Sequence, residues 1–202
     1  PSLYTVCVRA ENKGEEDKLG TALNKIAEED PTCVLKKDVE SGQLQLSTMG
    51  EVHLDHIMSK MERKYGAKAI IDKVYIPYRE TIRGKATAEG KHKKQSGGHG
   101  QYGHVVMDIE PTTDGKEFEF VDAIVGGAIP RQFIPAVEKG AVETLAKGVI
   151  AGYPLINIKL TLKDGSFHSV DSSEMAFKVA ASLALKKGIP EANPVLLEPI
   201  YA

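Results

Sequence analysis

Along residues 1–75 the spacing of apolar positions switches between two and 3.6 residues, predicting strand, helix, strand, strand, helix, strand. Residues 3–9 are rich in β-branched and aromatic types. A helix then opens with Glu15, Glu16 and Asp17, acids that suit the positive end of its macrodipole. Its apolar stripe is Leu19, Ala22, Leu23, Ile26 and Ala27. Asp30-Pro31 ends it, because the residue before a proline disfavours the α region. Residues 33–39 and 43–48 flank Ser41-Gly42, a turn signal, and read as a hairpin. A second helix over 51–65 sets Leu54, Ile57, Met58, Met61 and Tyr65 on one face, with Gly66 just beyond its end. Residues 67–75 form the last strand. Two helices on one face of a four-stranded sheet, in this order, predict a ferredoxin-like split βαβ domain.

The pattern changes near Ile76-Pro77. Residues 85–95 are polar and basic, and a glycine-rich stretch follows. The next strand sets Val105, Met107 and Ile109 against Asp108 and Glu110. Residues 117–124 form another strand with Phe118 and Phe120 inward, and a helix runs from about 130 to 149. Residues 155–163 alternate apolar and polar, which predicts a sheet covered on one face only. The final helix opens on a capping box, Asp171 at the N-cap and Glu174 at N3. Its stripe is Met175, Val179, Ala180 and Leu183, and Lys186, Lys187, Gly188 and Pro190 close it. The fold class is therefore α+β throughout: a ferredoxin-like domain over 1–76, a second α+β domain over 77–196, and a stub over 197–202. The chain begins at Pro1 rather than Met and stops at Ala202, which reads as a piece of a longer protein.

Composition narrows this only modestly. A charged fraction of 27% is ordinary for a globular protein and excludes the disordered and fibrous classes. No apolar run approaches the ~20 residues that span a bilayer. Cys7 and Cys33 cannot form a disulfide framework, so they read as buried thiols in a reducing, cytoplasmic setting. The net charge of −2 points by itself to no nucleic-acid partner. Its distribution does: Arg83, Lys85, Lys91, Lys93 and Lys94 face only Glu89 across residues 83–104, a local positive patch. If about four of these meet phosphates, RNA affinity should fall with salt at a log–log slope near about −3.

Several motifs invite chemistry and most decline it. Gly98, Gly100 and Gly103, with Asp122 about 20 residues on, match the dinucleotide fingerprint, but that device needs a strand before it and a helix after it. No phosphate-binding P-loop string occurs. His53 and His56, with Asp55, lack the further donors that a metal site needs, and read as solvated positions. Ser166, His168 and Asp171 lack the strained turn of a hydrolase nucleophile. The run Ser96-Gly97-Gly98-His99-Gly100-Gln101-Tyr102-Gly103 is different. It reads either as a mobile hairpin turn or as a tip that approaches RNA closely. In the second case Gln101 and the amides would bond RNA, and His99 and Tyr102 would stack.

The strings Met49-Gly50-Glu51-Val52-His53-Leu54, Tyr78-Arg79-Glu80-Thr81-Ile82-Arg83, the 95–104 run QSGGHGQYGH and Gly126-Gly127-Ala128-Ile129-Pro130 are collinear. So are Ala151-Gly152-Tyr153-Pro154, the 168–177 run HSVDSSEMAF and the 194–200 run PVLLEPI. Together they cover essentially the whole chain, which resembles domains III and IV of elongation factor G, a ribosomal translocase.

The resemblance implies a ferredoxin-like domain III that relays the state of an absent GTPase domain, where GTP and Mg would bind. This piece itself would hold no cofactor, no metal and no catalytic residue. It implies an elongated domain IV with a left-handed βαβ crossover. The tip of domain IV would be built from Ser96, Gly97, Gly98, His99, Gly100, Gln101, Tyr102 and, from a second loop, His168. These residues would contact the ribosome, its rRNA and the tRNA–mRNA duplex, with Arg83, Lys91, Lys93 and Lys94 facing phosphates. The implied protein is a cytoplasmic monomer. Typical members carry arginine where His99 stands, and arginine's fixed charge and planar fork are lost here. A paralogue specialised for ribosome recycling, or a stand-alone RNA-binding module, are the alternative readings.

Overall fold

A computed structural model describes residues 4–95 and 97–199. The chain divides into two compact units, Pro1–Pro77 and Tyr78–Ala202. In the first, β1 (Tyr4–Ala10), α1 (Glu16–Glu29), β2 (Val34–Lys37), β3 (Leu44–Thr48), α2 (Glu51–Tyr65) and β4 (Ala69–Asp72) follow the predicted order. The sheet order is β2-β3-β1-β4 with every pair antiparallel, the ferredoxin-like arrangement. Val6, Val8 and Ala10 alternate toward the helices and meet Leu19, Leu23, Ile26, Leu54, Ile57 and Met61 in one core. The strands β2 and β4 are shorter than their apolar runs suggest.

One detail of this unit corrects the sequence reading and another agrees with it. His53 is not a solvated position: its Nε2 lies 2.9 Å from Asp30 Oδ2, and its Nδ1 accepts from the Met49 amide at 3.2 Å. Asp30 also accepts from the Thr32 hydroxyl and amide, which together with His53 hold its carboxyl down to about 2. Both cysteines are free and buried, and burial pushes both thiols up.

The second unit contains β5 (Arg79–Ile82), β6 (Ala86–Lys94), β7 (Gln101–Pro111), β8 (Phe118–Asp122), α3 (Ile134–Lys147), β9 (Ile158–Ser166), α4 (Glu174–Glu191) and β10 (Pro194–Leu197). Its main sheet runs β6-β7-β9-β8, with β8 parallel to β9 and α3 between them in sequence. A separate antiparallel pair, β5 with β10, was not foreseen; it enlists the run read as a family string and the start of the stub. As the alternation predicted, one face is covered: Val105, Met107, Ile109, Leu160 and Leu162 pack with Val137, Ala141, Phe177, Ala180 and Ala184 of α3 and α4.

Close approach explains the glycines of this face. A Cβ on Gly90 would stand 1.9 Å from the Ala180 carbonyl oxygen, and one on Gly103 2.5 Å from that of Ala176. Gly188 serves the same purpose against Ala88 and Ile109 rather than closing α4, which runs on through Pro190. The buried stripe of α4 is Ala176, Phe177, Ala180, Ala181, Ala184, Leu185 and Ile189. Met175, predicted inward, is exposed. The helix begins two residues later than its predicted cap: Ser173, not Asp171, accepts from the Ala176 amide, at 3.2 Å.

Candidate nucleic-acid interface

Three connections leave the same end of the β6-β7-β9-β8 sheet, because β7 starts there and β6, β8 and β9 end there. The first is the turn between Lys94 and Gln101, which are cross-strand partners. It holds Gly97, Gly98, His99 and Gly100; Gly97 and Gly98 have φ of 43° and 120°, a region glycine enters without steric cost. His99 is exposed. Ser96 lies outside the described residues.

The second connection, residues 167–173, carries His168 and is fastened to the first. The Gly100 amide donates to Asp171 Oδ1 at 2.9 Å, and the Tyr102 amide to the Asp171 carbonyl at 2.8 Å. Ser172 Oγ donates to the Tyr102 carbonyl at 2.9 Å and accepts from the His168 amide at 2.8 Å. His168 Nδ1 lies 3.5 Å from Asp171 Oδ2, and its ring centroid is 6.1 Å from that of Tyr102. The structure thus brings the exposed His168 beside Tyr102. The fastening was not foreseen: Asp171 read from the sequence as a helix cap, and Ser172 carried no signal of its own.

Gln101 and Tyr102 belong to β7 rather than to the loop. Gln101 Oε1 is 2.8 Å from His92 Nε2. The Tyr102 hydroxyl is 2.8 Å from Ser166 Oγ, which is also 2.7 Å from His104 Nδ1. These bonds take Ser166 away from His168, so the Ser166/His168/Asp171 grouping is not assembled. The far ring nitrogen of His104 is 2.7 Å from Glu89 Oε1, out of line for a straight hydrogen bond.

The open face of the sheet divides electrostatically. Toward the end where β6 begins, Lys85 pairs with Glu110 at 2.8 Å and Lys163 with Asp108 at 2.7 Å, and both acids are held below the ordinary carboxylate range by these lysines. Toward the loops, Lys91 and Lys93 face His104 and Tyr102 across the strands, with no acid opposite. Lys91 Nζ lies 5.7 Å from the centre of the Tyr102 ring, a cation–π geometry. Lys94 alternates to the other face of β6. Arg83 is not with them: it precedes β6, its amide bonded to the Asn193 carbonyl, roughly 25 Å or more of strand away from Lys94. Among the described residues no group of three His, Cys, Asp or Glu side chains could hold a metal.

The family model described as Elongation Factor G, domain III matches residues 1–73, and the one described as Elongation factor G, domain IV matches residues 75–193. The chain belongs to the elongation factor G family. A protein from Thermus thermophilus with a known crystal structure is similar to it at 44% identity and a TM-score of 0.74. That likeness covers 96% of this chain and 29% of the Thermus chain, so this chain spans under a third of its length. Two elongation factor G strings now have physical roles. Glu80 of the Tyr78–Arg83 string is buried and receives the amides of Val149, Ile150, Ala151 and Tyr153 at 2.6–3.1 Å. Ile129 of the Gly126–Pro130 string is buried against Gly165. Among the described residues no helix is long and apolar enough to cross a membrane.

Proposed function

We propose that this chain is the domain III and domain IV portion of a longer, GTP-dependent ribosomal translocase. In this reading the first unit relays the state of a GTPase domain that holds GTP and Mg. The second unit enters the decoding site loop-end first and, with rRNA around it, stands against the tRNA–mRNA duplex. The protein would work as a cytoplasmic monomer. No bond is made or broken by this portion; it acts by occupying space and touching RNA. The observation that carries the reading is the fastening of the 97–102 segment to the His168 loop through Asp171 and Ser172. It presents an imidazole, a phenol and flexible glycine backbone together, a set suited to single-stranded bases and the 2′-hydroxyls of a duplex. Lys91 and Lys93 stand behind it for phosphates.

The test is single-round mRNA movement on pre-translocation ribosomes, driven by the intact factor and by a version with residues 97–103 shortened. Movement by the first and not the second is expected. GTP hydrolysis without movement by the intact factor would overturn the translocase reading. It would favour a specialised paralogue, to which the exposed His99 in place of the usual arginine already points.

A further inference from the structure

The third connection at the loop end, between β8 and α3, has no role in the reading above. Its backbone turns at Gly126 and Gly127, with φ of 68° and 73°, and nothing among the described residues crowds either one. Asp122 Oδ1 accepts from the Ile124 amide at 3.0 Å, and Ile129 is wedged beneath Gly165, so both ends of the connection are fixed. Between those anchors Val125 stands 82% exposed. Arg131, exposed in the turn before α3, has no ion pair among the described residues. The neighbouring loop is reached directly, since Gln132 and Pro135 line one groove with Ser173, Glu174 and Met175.

The distribution of exposed apolar groups singles out this end. Among the described residues of the second unit seven large apolar side chains are exposed, and four of them, Val125, Phe167, Val170 and Met175, lie here. Isolated exposed apolar residues need no explanation, but a concentration at one end marks a contact surface. β8 ends at Asp122, level with Leu162 and Met107 and so six residues short of Gln101, and the connection climbs from there to Ile129, which packs against Gly165 near the end of β9. We infer that the 123–131 connection is a third RNA-contacting loop, in which Val125 packs on a ribose or base face and Arg131 meets a phosphate. RNA is favoured over a protein partner by the unpaired cation and by continuity with the 97–102 and 167–173 loops. The inference rests on the proposed function for those two loops. Apolar side chains that pack on sugar and base faces in this way act without formal charge.

The experiment places photo-reactive benzoylphenylalanine at position 125, or at position 99, in the full-length factor bound to ribosomes, and identifies the cross-linked partner. RNA at both positions is expected. RNA at 99 with protein, or nothing, at 125 overturns the third loop and leaves the proposed function standing. No RNA at either position overturns both. As a second readout, the neutral substitution Val125→Ser should slow single-round mRNA movement about tenfold with its salt dependence unchanged, whereas Arg131→Ala should make the log–log salt slope shallower by about 0.7. A salt slope altered by Val125→Ser, or wild-type movement by both variants, would overturn the inference.

Discussion

At the end of the second sheet where α3 and α4 finish, one buried carboxylate organises the chain around it; at the opposite end, loops rich in glycine leave rings and apolar groups in solvent. Glu80 draws four amides onto its two oxygens, and the amides of Arg83 and Gly84 close onto the carbonyls that follow α4. Burial alone would raise the Glu80 carboxyl, but the four donors outweigh it and hold it below the ordinary range. The loop end depends on a few bonds centred on Asp171 and Ser172, and exposes Val125, Phe167, Val170 and His99. The carboxylate end is built on β5, β10 and the chain after α3, the loop end on β6, β7, β8 and β9. Saturated polar groups hold the first end, which lets the second keep contact groups free for a partner without the unit coming apart.

The largest effect that would break this contrast is at Glu80. Glu80→Ala should cost about 3–5 kcal/mol, because it strands buried amides that the carboxylate now receives; urea unfolding of the chain measures it. A midpoint close to that of the unaltered chain would make the two ends equivalent. The same group sets a pH dependence. Its folded-state value lies below the unfolded one of about 4.3, so its stabilisation is complete above that pH and fades as pH falls through the lowered value. Below about pH 4.3 the unaltered chain should therefore lose stability more steeply than Glu80→Gln. Parallel curves would remove the carboxylate from the account.

Next in size is a pair of glycine substitutions. Gly90→Ala drives a Cβ into the Ala180 carbonyl, and the backbone of α4 must retreat; about 1–3 kcal/mol is expected. Gly97→Ala meets nothing among the described residues, and its φ of 43° opposes it, so about 1 kcal/mol is expected. Thermal unfolding of the two variants side by side compares sheet and loop. Equal costs would mean that α4 does not rest on Gly90 as closely as described.

Much of this was legible in the chain, for reasons that separate cleanly. The ferredoxin-like order followed from period and turn residues, since each helix shows one apolar stripe and each strand alternates. The stripe of α4 was misplaced because the helix packs through alanine and glycine: with few large side chains its periodicity pointed to Met175, while Ala176 and Phe177 face the sheet. Gly188 and Pro190 look like stop signals only until Ala88 and Ile109 are seen beneath Gly188. Glu80 and Asp171 act on residues some 70 positions away, and no local pattern encodes that. The glycine loop and His168 were marked by resemblance to the family; that they touch one another became visible only in three dimensions.

The smallest effect concerns charge, where the structure changes the expected number. The sequence pools five basic side chains over residues 83–94, and a slope near about −3 assumes that about four meet phosphates. Arg83 stands at the anchored end, and Lys85 is occupied by Glu110 at 2.8 Å. Of these five, Lys91, Lys93 and Lys94 remain near the loops and contribute about −2 to the log–log slope at roughly 0.7 per contact, with Arg131 of the third loop adding about −0.7. Lys94 sits on the other face of β6, so Lys91→Gln with Lys93→Gln should make the slope shallower by about 1.4, while Arg83→Gln should leave it unchanged. Fluorescence anisotropy with a short single-stranded RNA between roughly 50 and 200 mM salt reads all three. If Arg83→Gln shifts the slope as much as either lysine, RNA lies along the whole open face and the two ends of the sheet share the contact.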